Sequence, residues 1–264
     1  MLVILGYILA VLIGLSLGLI GGGGSILTVP VLVYCTGIAA VPATSYSLFV
    51  VGVTSAVGAA NYARKDLIHI RTALLFGIPS IIIVYMMRHF IVPLLPETFF
   101  TIGNWSFTKN IFILILFAIL MIVASISMIR KKVIHEQEHT SHTSKDSVRI
   151  FVQGIGVGII TGLVGAGGGF LIVPALVFLA RLPIKIAIGT SLLIIASNAL
   201  IGFIGDYGHQ IIDWRFLAIF SGLAIAGMFI GTSLSRKIDN RLLRPLFGWF
   251  VLAMGIYILI RETL

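Results

Sequence analysis

Residues 18–34 read GLIGGGGSILTVPVLVY, residues 162–178 read GLVGAGGGFLIVPALVF, and ten of the seventeen aligned positions are identical. Agreement at that density goes beyond shared hydrophobicity and marks the chain as an internal duplication. Each copy joins a glycine cluster to an apolar run of about 14 residues that carries Pro30 or Pro174. The clusters are Gly21-Gly22-Gly23-Gly24-Ser25 and Gly165-Ala166-Gly167-Gly168-Gly169. Adjacent glycines interrupt a helix, because each costs about 1 kcal/mol against Ala in a helix interior. The following run is shorter than the roughly 20 residues a spanning helix needs. A broken backbone exposed to lipid would leave polar groups unsatisfied, so the turn must lie inside protein or line a watery cavity. The pattern therefore predicts a re-entrant or short, half-spanning helix in each half.

Outward from these turns the chain is apolar. Hydrophobic residues make up 59% of 264 and charged residues 10%, and the mean hydropathy is +1.14, which places most of the chain in lipid. Apolar segments run at about 2–20, 24–38, 43–62, 71–95 and 110–129, then at 150–164, 168–180, 186–205, 215–235 and 243–260. The expected fold is thus an all-α integral membrane protein of two repeats with five hydrophobic segments each. The first repeat covers residues 1–130 and the second 149–264, joined by a polar linker at 131–148 that is too short to bury a core. The first segment lacks a basic leader and a cleavage site, and reads as a retained helix.

The net charge of +9 resides in short clusters between apolar runs rather than in a basic face, so nucleic acid is not the expected partner. Fourteen of the eighteen Lys and Arg fall on one side when the segments are threaded through a bilayer. Arg88, Lys109, Arg215 and Arg261 fall on the other. The positive-inside rule makes the larger set, including the linker, cytoplasmic and puts both termini outside. The loop at 62–71 then faces opposite to its counterpart at 206–215, so the repeats are inverted. An odd number of crossings per half, either five or three with a re-entrant pair, satisfies this.

A helix that starts at a glycine turn presents unpaired amides and the positive end of its dipole, a ready site for an anion. Inverted repeats would bring two such starts together near the midplane. The expected substrate-binding residues are Gly22, Gly23, Gly24 and Ser25 in one half and Gly167, Gly168 and Gly169 in the other. Isolated glycines such as Gly52 and Gly58 read as helix-packing positions. Within the segments, Thr28, Thr44, Ser45, Ser47, Thr54, Ser55, Asn61, Thr190, Ser191, Ser197 and Asn198 carry polar side chains. Thr44-Ser45 and Thr190-Ser191 recur in both halves after the glycine hairpins and join the expected pocket, with Asn198 beside them.

The paired glycine motifs, the GTSL at Gly189 to Leu192 and the Asp213-Trp214-Arg215 element resemble the TauE/SafE family of sulfite and organosulfonate exporters over the whole chain. The resemblance implies transport of a small sulfur-containing or carboxylate anion. In the first half Tyr46 interrupts the Thr-Ser-Leu pattern and His69-Ile70 stands where the second half has Asp-Trp.

The expected function is a secondary transporter of a small anion in the cell membrane, with a passive channel and an intramembrane enzyme as alternatives. No nucleophile and base, carboxylate pair or His-Glu-x-x-His lies in a span, so no catalytic residue is assigned. No cofactor or metal is expected either. His135, His139 and His142 read as part of a solvated linker, Asp206 as a solvated cap at an outer helix end, and the single Cys35 as apolar filler. Homodimerisation is left open.

Overall fold

The computed structural model describes residues 2–102, 105–129, 144–178, 180, 182–208, 210, 212–234 and 240–263. Eleven helices, a glycine-rich 3₁₀ turn and one hairpin follow one another among these residues. In the first half they are α1 (Leu2–Ile20), the 3₁₀ turn Gly22–Leu27, α2 (Thr28–Thr36), α3 (Ala40–Ala63), α4 (Ile70–Met86), α5 (Val92–Leu94) and α6 (Lys109–Ile129). The second half supplies α7 (Ser144–Val164), α8 (Gly169–Phe178), α9 (Ile184–Gly205), α10 (Trp214–Leu234) and α11 (Asn240–Thr263). Six helical stretches are long and apolar enough to cross a membrane, namely α3, α4 with α5, α6, α9, α10 and the part of α11 from Pro245. The outer faces of these helices suit lipid. On α4, Ile70, Leu74, Ile78, Ile82 and Met86 recur at helical spacing and are all exposed.

The all-α expectation needs one correction. Between α5 and α6 the chain forms an antiparallel hairpin of β1 (Thr98–Ile102) and β2 (Trp105–Thr108). The segment is rich in aromatic and β-branched residues, which favour strands. Phe100 and Phe107, cross-strand partners, stack with centroids 5.0 Å apart. The linker is also shorter than its polarity suggests, since residues from Ser144 already belong to α7. Residues 130–143, with His135, His139 and His142, lie outside the described set.

Helices pair in an order that maps onto itself when the halves are exchanged. α1 lies on α10 and its counterpart α7 on α4; α3 lies on its own counterpart α9, and α6 on α11. Small residues set these approaches. On the α1–α10 seam a Cβ at Gly14, Gly18, Gly227 or Gly231 would strike the facing helix's backbone, the close packing that small-xxx-small spacing allows. Gly52 against Leu200 and Gly58 against Leu192 and Met228 behave as the packing positions expected of them. These pairs also fix α3 and α9 as antiparallel, with Tyr62 against Gly189 at one end and Ser45 against Asp206 at the other.

Equivalent helix starts are capped alike. His69 caps α4 by accepting from the Thr72 amide, and Asp213 caps α10 by accepting from the Phe216 amide. Each also ties its backbone to the opposite half: the His69 amide donates to Thr190 Oγ1 at 2.9 Å and the Asp213 amide to Tyr46 Oη at 2.7 Å. The aligned His-Ile-Arg and Asp-Trp-Arg elements thus do the same structural work with different chemistry.

Candidate functional site

The two glycine clusters meet inside the protein. Gly22 opens the 3₁₀ turn and Gly169 opens α8, and a Cβ built on Gly22 would lie 2.7 Å from both the Cα and the carbonyl oxygen of Gly169. Backbone faces backbone there, a separation no side chain fits. Around this contact Gly22, Gly23, Gly24 and Ser25 are all buried, and the Ser25 hydroxyl donates to the Gly22 carbonyl at 2.9 Å. Gly167 and Gly168 take φ of 68° and 70°, the left-handed region that glycine enters without strain. At the start of α8 the amides of Leu171 and Ile172 are the first to bond back, both to the Gly168 carbonyl. The amides before them open the helix, where its dipole is positive. Gly167 packs on Val51 and Ile195, and Gly22 on Ile195, so the paired turns lie against the middle of α3 and α9.

The threonine and serine pairs do not converge. Thr44-Ser45 lies near the start of α3 and Thr190-Ser191 near the start of α9. Because these helices run antiparallel, the pairs occupy opposite ends, roughly 24 Å apart at 1.5 Å per residue. All four side chains are buried. Thr190 accepts from the His69 amide and Ser191 donates to the Ile188 carbonyl of its own helix at 2.8 Å, so both hydroxyls are engaged in structure. Asn198, midway along α9, donates to Ser80 Oγ at 2.7 Å, and its Oδ1 has no partner among the described residues. An apolar cleft of about 570 Å³ opens beside α3 and α9 toward Asp66, lined mainly by Ala56, Ala59, Ala60, Ala63 and Leu200. It holds none of the twelve expected residues.

The Thr44-Ser45 end holds a feature the sequence reading misplaced. Asp206, expected to be a solvated cap, is buried with 4% exposure, and Arg88, counted with the basic residues of the outer side, is buried with none. Arg88 Nη1 pairs with Asp206 Oδ2 at 3.2 Å and donates to Thr44 Oγ1 at 3.0 Å, while the Ser45 hydroxyl donates to the same Asp206 oxygen. Local structure brings the arginine inward. Pro93 has no amide to donate and its ring crowds the carbonyl four residues back, and the chain there widens into a π-helical turn, Met87–Ile91, with the Val92 amide reaching Met87 O. Gly205 lets α9 approach the Arg88 Cβ, since a Cβ there would sit 3.1 Å away. Gly165, at φ 71°, leaves room for Arg88 Nη2 and for Thr44, whose Cα would lie 2.9 Å from any Cβ on it. The charge pair therefore abuts the second glycine turn. A signal was present in the sequence: Arg88 falls inside the apolar segment 71–95, and an ionisable residue within a span is costly unless it is used.

Comparison with known proteins identifies the family. The family model described as Sulfite exporter TauE/SafE matches residues 6–258. A probable membrane transporter protein of Xylella fastidiosa (strain Temecula1 / ATCC 700964) is similar at 31% identity over 255 residues, covering 95% of this chain and 92% of its own. The probable membrane transporter protein YunE of Bacillus subtilis (strain 168) is similar at 26% identity over 259 residues, covering 89% and 90%. No solved structure matches.

Proposed function

We propose that this chain, which belongs to the sulfite exporter TauE/SafE family, is a secondary transporter for a small anion such as sulfite, an organosulfonate, or another sulfur-containing or carboxylate anion. The observation that carries the reading is the meeting of the two glycine turns, backbone against backbone, beside the middle of α3 and α9. Two helix starts placed together in a low-dielectric interior concentrate unpaired amides and the positive ends of two dipoles, and an anion is the ligand they favour. The amides of Gly22 and Gly23 and of Gly167 to Gly169 are the groups we assign to it, with Gly24, whose amide is held by the Gly21 carbonyl, and Ser25 shaping the turn.

On this reading the halves are inverted repeats. Each contributes three of the six spans and one re-entrant hairpin, α1 to α2 or α7 to α8, that enters and leaves on the same side. The exchange-symmetric helix pairing supports this, as does the antiparallel α3–α9 pair. Both termini and the hairpin β1–β2 then lie outside, and residues 131–148 in the cytoplasm. Rocking one half against the other about the paired turns gives alternating access to a site that stays near the midplane.

A thermal-shift screen of the purified protein against sulfite, sulfate, thiosulfate, sulfonates, small carboxylates, monovalent cations and neutral sugars tests the ligand class. The reading expects stabilisation by one or more of the anions. Stabilisation by a cation or a sugar, without competition from any anion, overturns it.

A further inference from the structure

We propose that Arg88 is the cationic partner of the transported anion, and that the anion takes it from Asp206, which binds a proton in exchange. The proposal deepens the anion-transport reading and rests on it. Arg88 is wholly buried, yet only Nη1 of its guanidinium is partnered; Nε and Nη2 have no acceptor among the described residues. A buried arginine kept only for structure is expected to have its donors satisfied, because unpaired buried donors are expensive. Here the two unfilled donors form the planar fork that suits a sulfonate or carboxylate.

The fork is also aimed. Nη2 lies against Gly165, in the space any side chain at that position would fill. Gly165 begins the turn that leads through Gly168 into α8, and Thr161 Oγ1, a further buried hydroxyl without a partner among the described residues, packs on Gly168. The helix start, the guanidinium and the threonine thus point to one ligand that is negatively charged and accepts several hydrogen bonds.

Asp206 supplies the coupling. With Arg88 drawn to the anion, the Asp206 carboxylate keeps, among the described residues, the Ser45 hydroxyl as its partner in a buried site, and a buried carboxylate stripped of its cation is costly. A proton from solvent then binds Asp206 Oδ2, and it is released when the anion leaves and Arg88 returns. A monoanion and a proton move together, so each cycle carries no net charge. Among the described residues, the other titratable groups close to Asp206 are Tyr207, its exposed neighbour in the chain, His89, whose Nδ1 lies 3.2 Å from the Gly205 carbonyl, and Tyr85, which stacks on His89 at 5.4 Å.

The test uses the purified full-length protein with methanesulfonate and acetate, neither of which changes charge near neutral pH. Thermal shift reports binding, and an indicator dye in weakly buffered solution reports protons. Wild type is expected to bind and to take up about one proton per anion. Asp206→Asn is expected to bind at least as tightly with no proton uptake, and His89→Gln to behave as wild type. Arg88→Gln alone would strand a buried carboxylate, so the informative variant is Arg88→Gln with Asp206→Asn. That double variant is expected to keep its melting behaviour and lose roughly 10- to 100-fold in affinity. Wild-type binding by the double variant overturns the role of Arg88, and unchanged proton uptake in Asp206→Asn overturns the exchange, while the anion reading survives either result. Absence of binding of both anions by wild type overturns the exchange proposal, and the anion reading falls with it only if sulfite, sulfate and thiosulfate also fail to bind.

Discussion

Gly22→Ala isolates the contact between the two glycine turns. The residue has an ordinary negative φ, so alanine costs nothing in backbone conformation, and the effect comes from the added methyl alone. That methyl would sit 2.7 Å from the Gly169 Cα and carbonyl oxygen, about 0.7 Å short of ordinary contact. Ile195 Cδ1, at 2.6 Å, can rotate away, but the Gly169 backbone at the start of α8 cannot. The turns must therefore separate by most of that deficit. Overpacking of this kind costs about 1–3 kcal/mol, which for a chain of this size lowers the melting midpoint by roughly 2–12 °C. Transport should suffer more than stability, because a site built from two opposed helix starts depends on their spacing. The assay is uptake per inserted molecule in proteoliposomes beside the melting midpoint, with Gly222→Ala as control, since a Cβ there meets nothing within 4 Å. Near-normal transport and melting in Gly22→Ala would refute the reasoning.

Gly23→Val and Gly168→Val are expected to insert but not transport, the second because valine at φ 70° is strained and collides with Thr161; normal flux in both would reduce the clusters to packing features. Thr190→Val removes the acceptor for the His69 amide and should lower stability by about 1–3 kcal/mol while leaving the order of preference among anions unchanged; a changed preference would place Thr190 in the site. Ser141→Cys, in a background with Cys35 replaced, should resist a membrane-impermeant thiol reagent in intact cells and react after lysis. Labelling of intact cells would reverse the proposed orientation.

Most of the fold is legible because its signals are local. Apolar length, glycine breaks and the repeat fall in contiguous windows, and the segments at 43–62 and 186–205 correspond to α3 and α9. The strands β1 and β2 leave little trace in the sequence because they are short and lie between two strong helical signals. The glycine clusters are legible for the same reason the turns exist: few other sequences break a helix so completely. What they touch is not local, and the contact of Gly22 with Gly169 spans the duplication. Thr44-Ser45 and Thr190-Ser191 looked like one pocket because repeats suggest symmetry, yet an antiparallel α3–α9 pair carries them to opposite ends. Arg88 and Asp206 lie far apart in the chain, each near the end of an apolar segment where a solvated position is the ordinary reading. Only the packing of the π-helical turn against Gly205 reveals them as a buried pair.

Counterflow tests the central claim most directly. Proteoliposomes loaded with unlabelled sulfite and diluted into a trace of radiolabelled sulfite should accumulate label transiently above equilibrium, because a carrier returns loaded from each side. The overshoot should vanish in Gly168→Val. Monotonic equilibration without overshoot would identify a channel, and flux no greater than in protein-free liposomes across the panel of small anions would contradict the account.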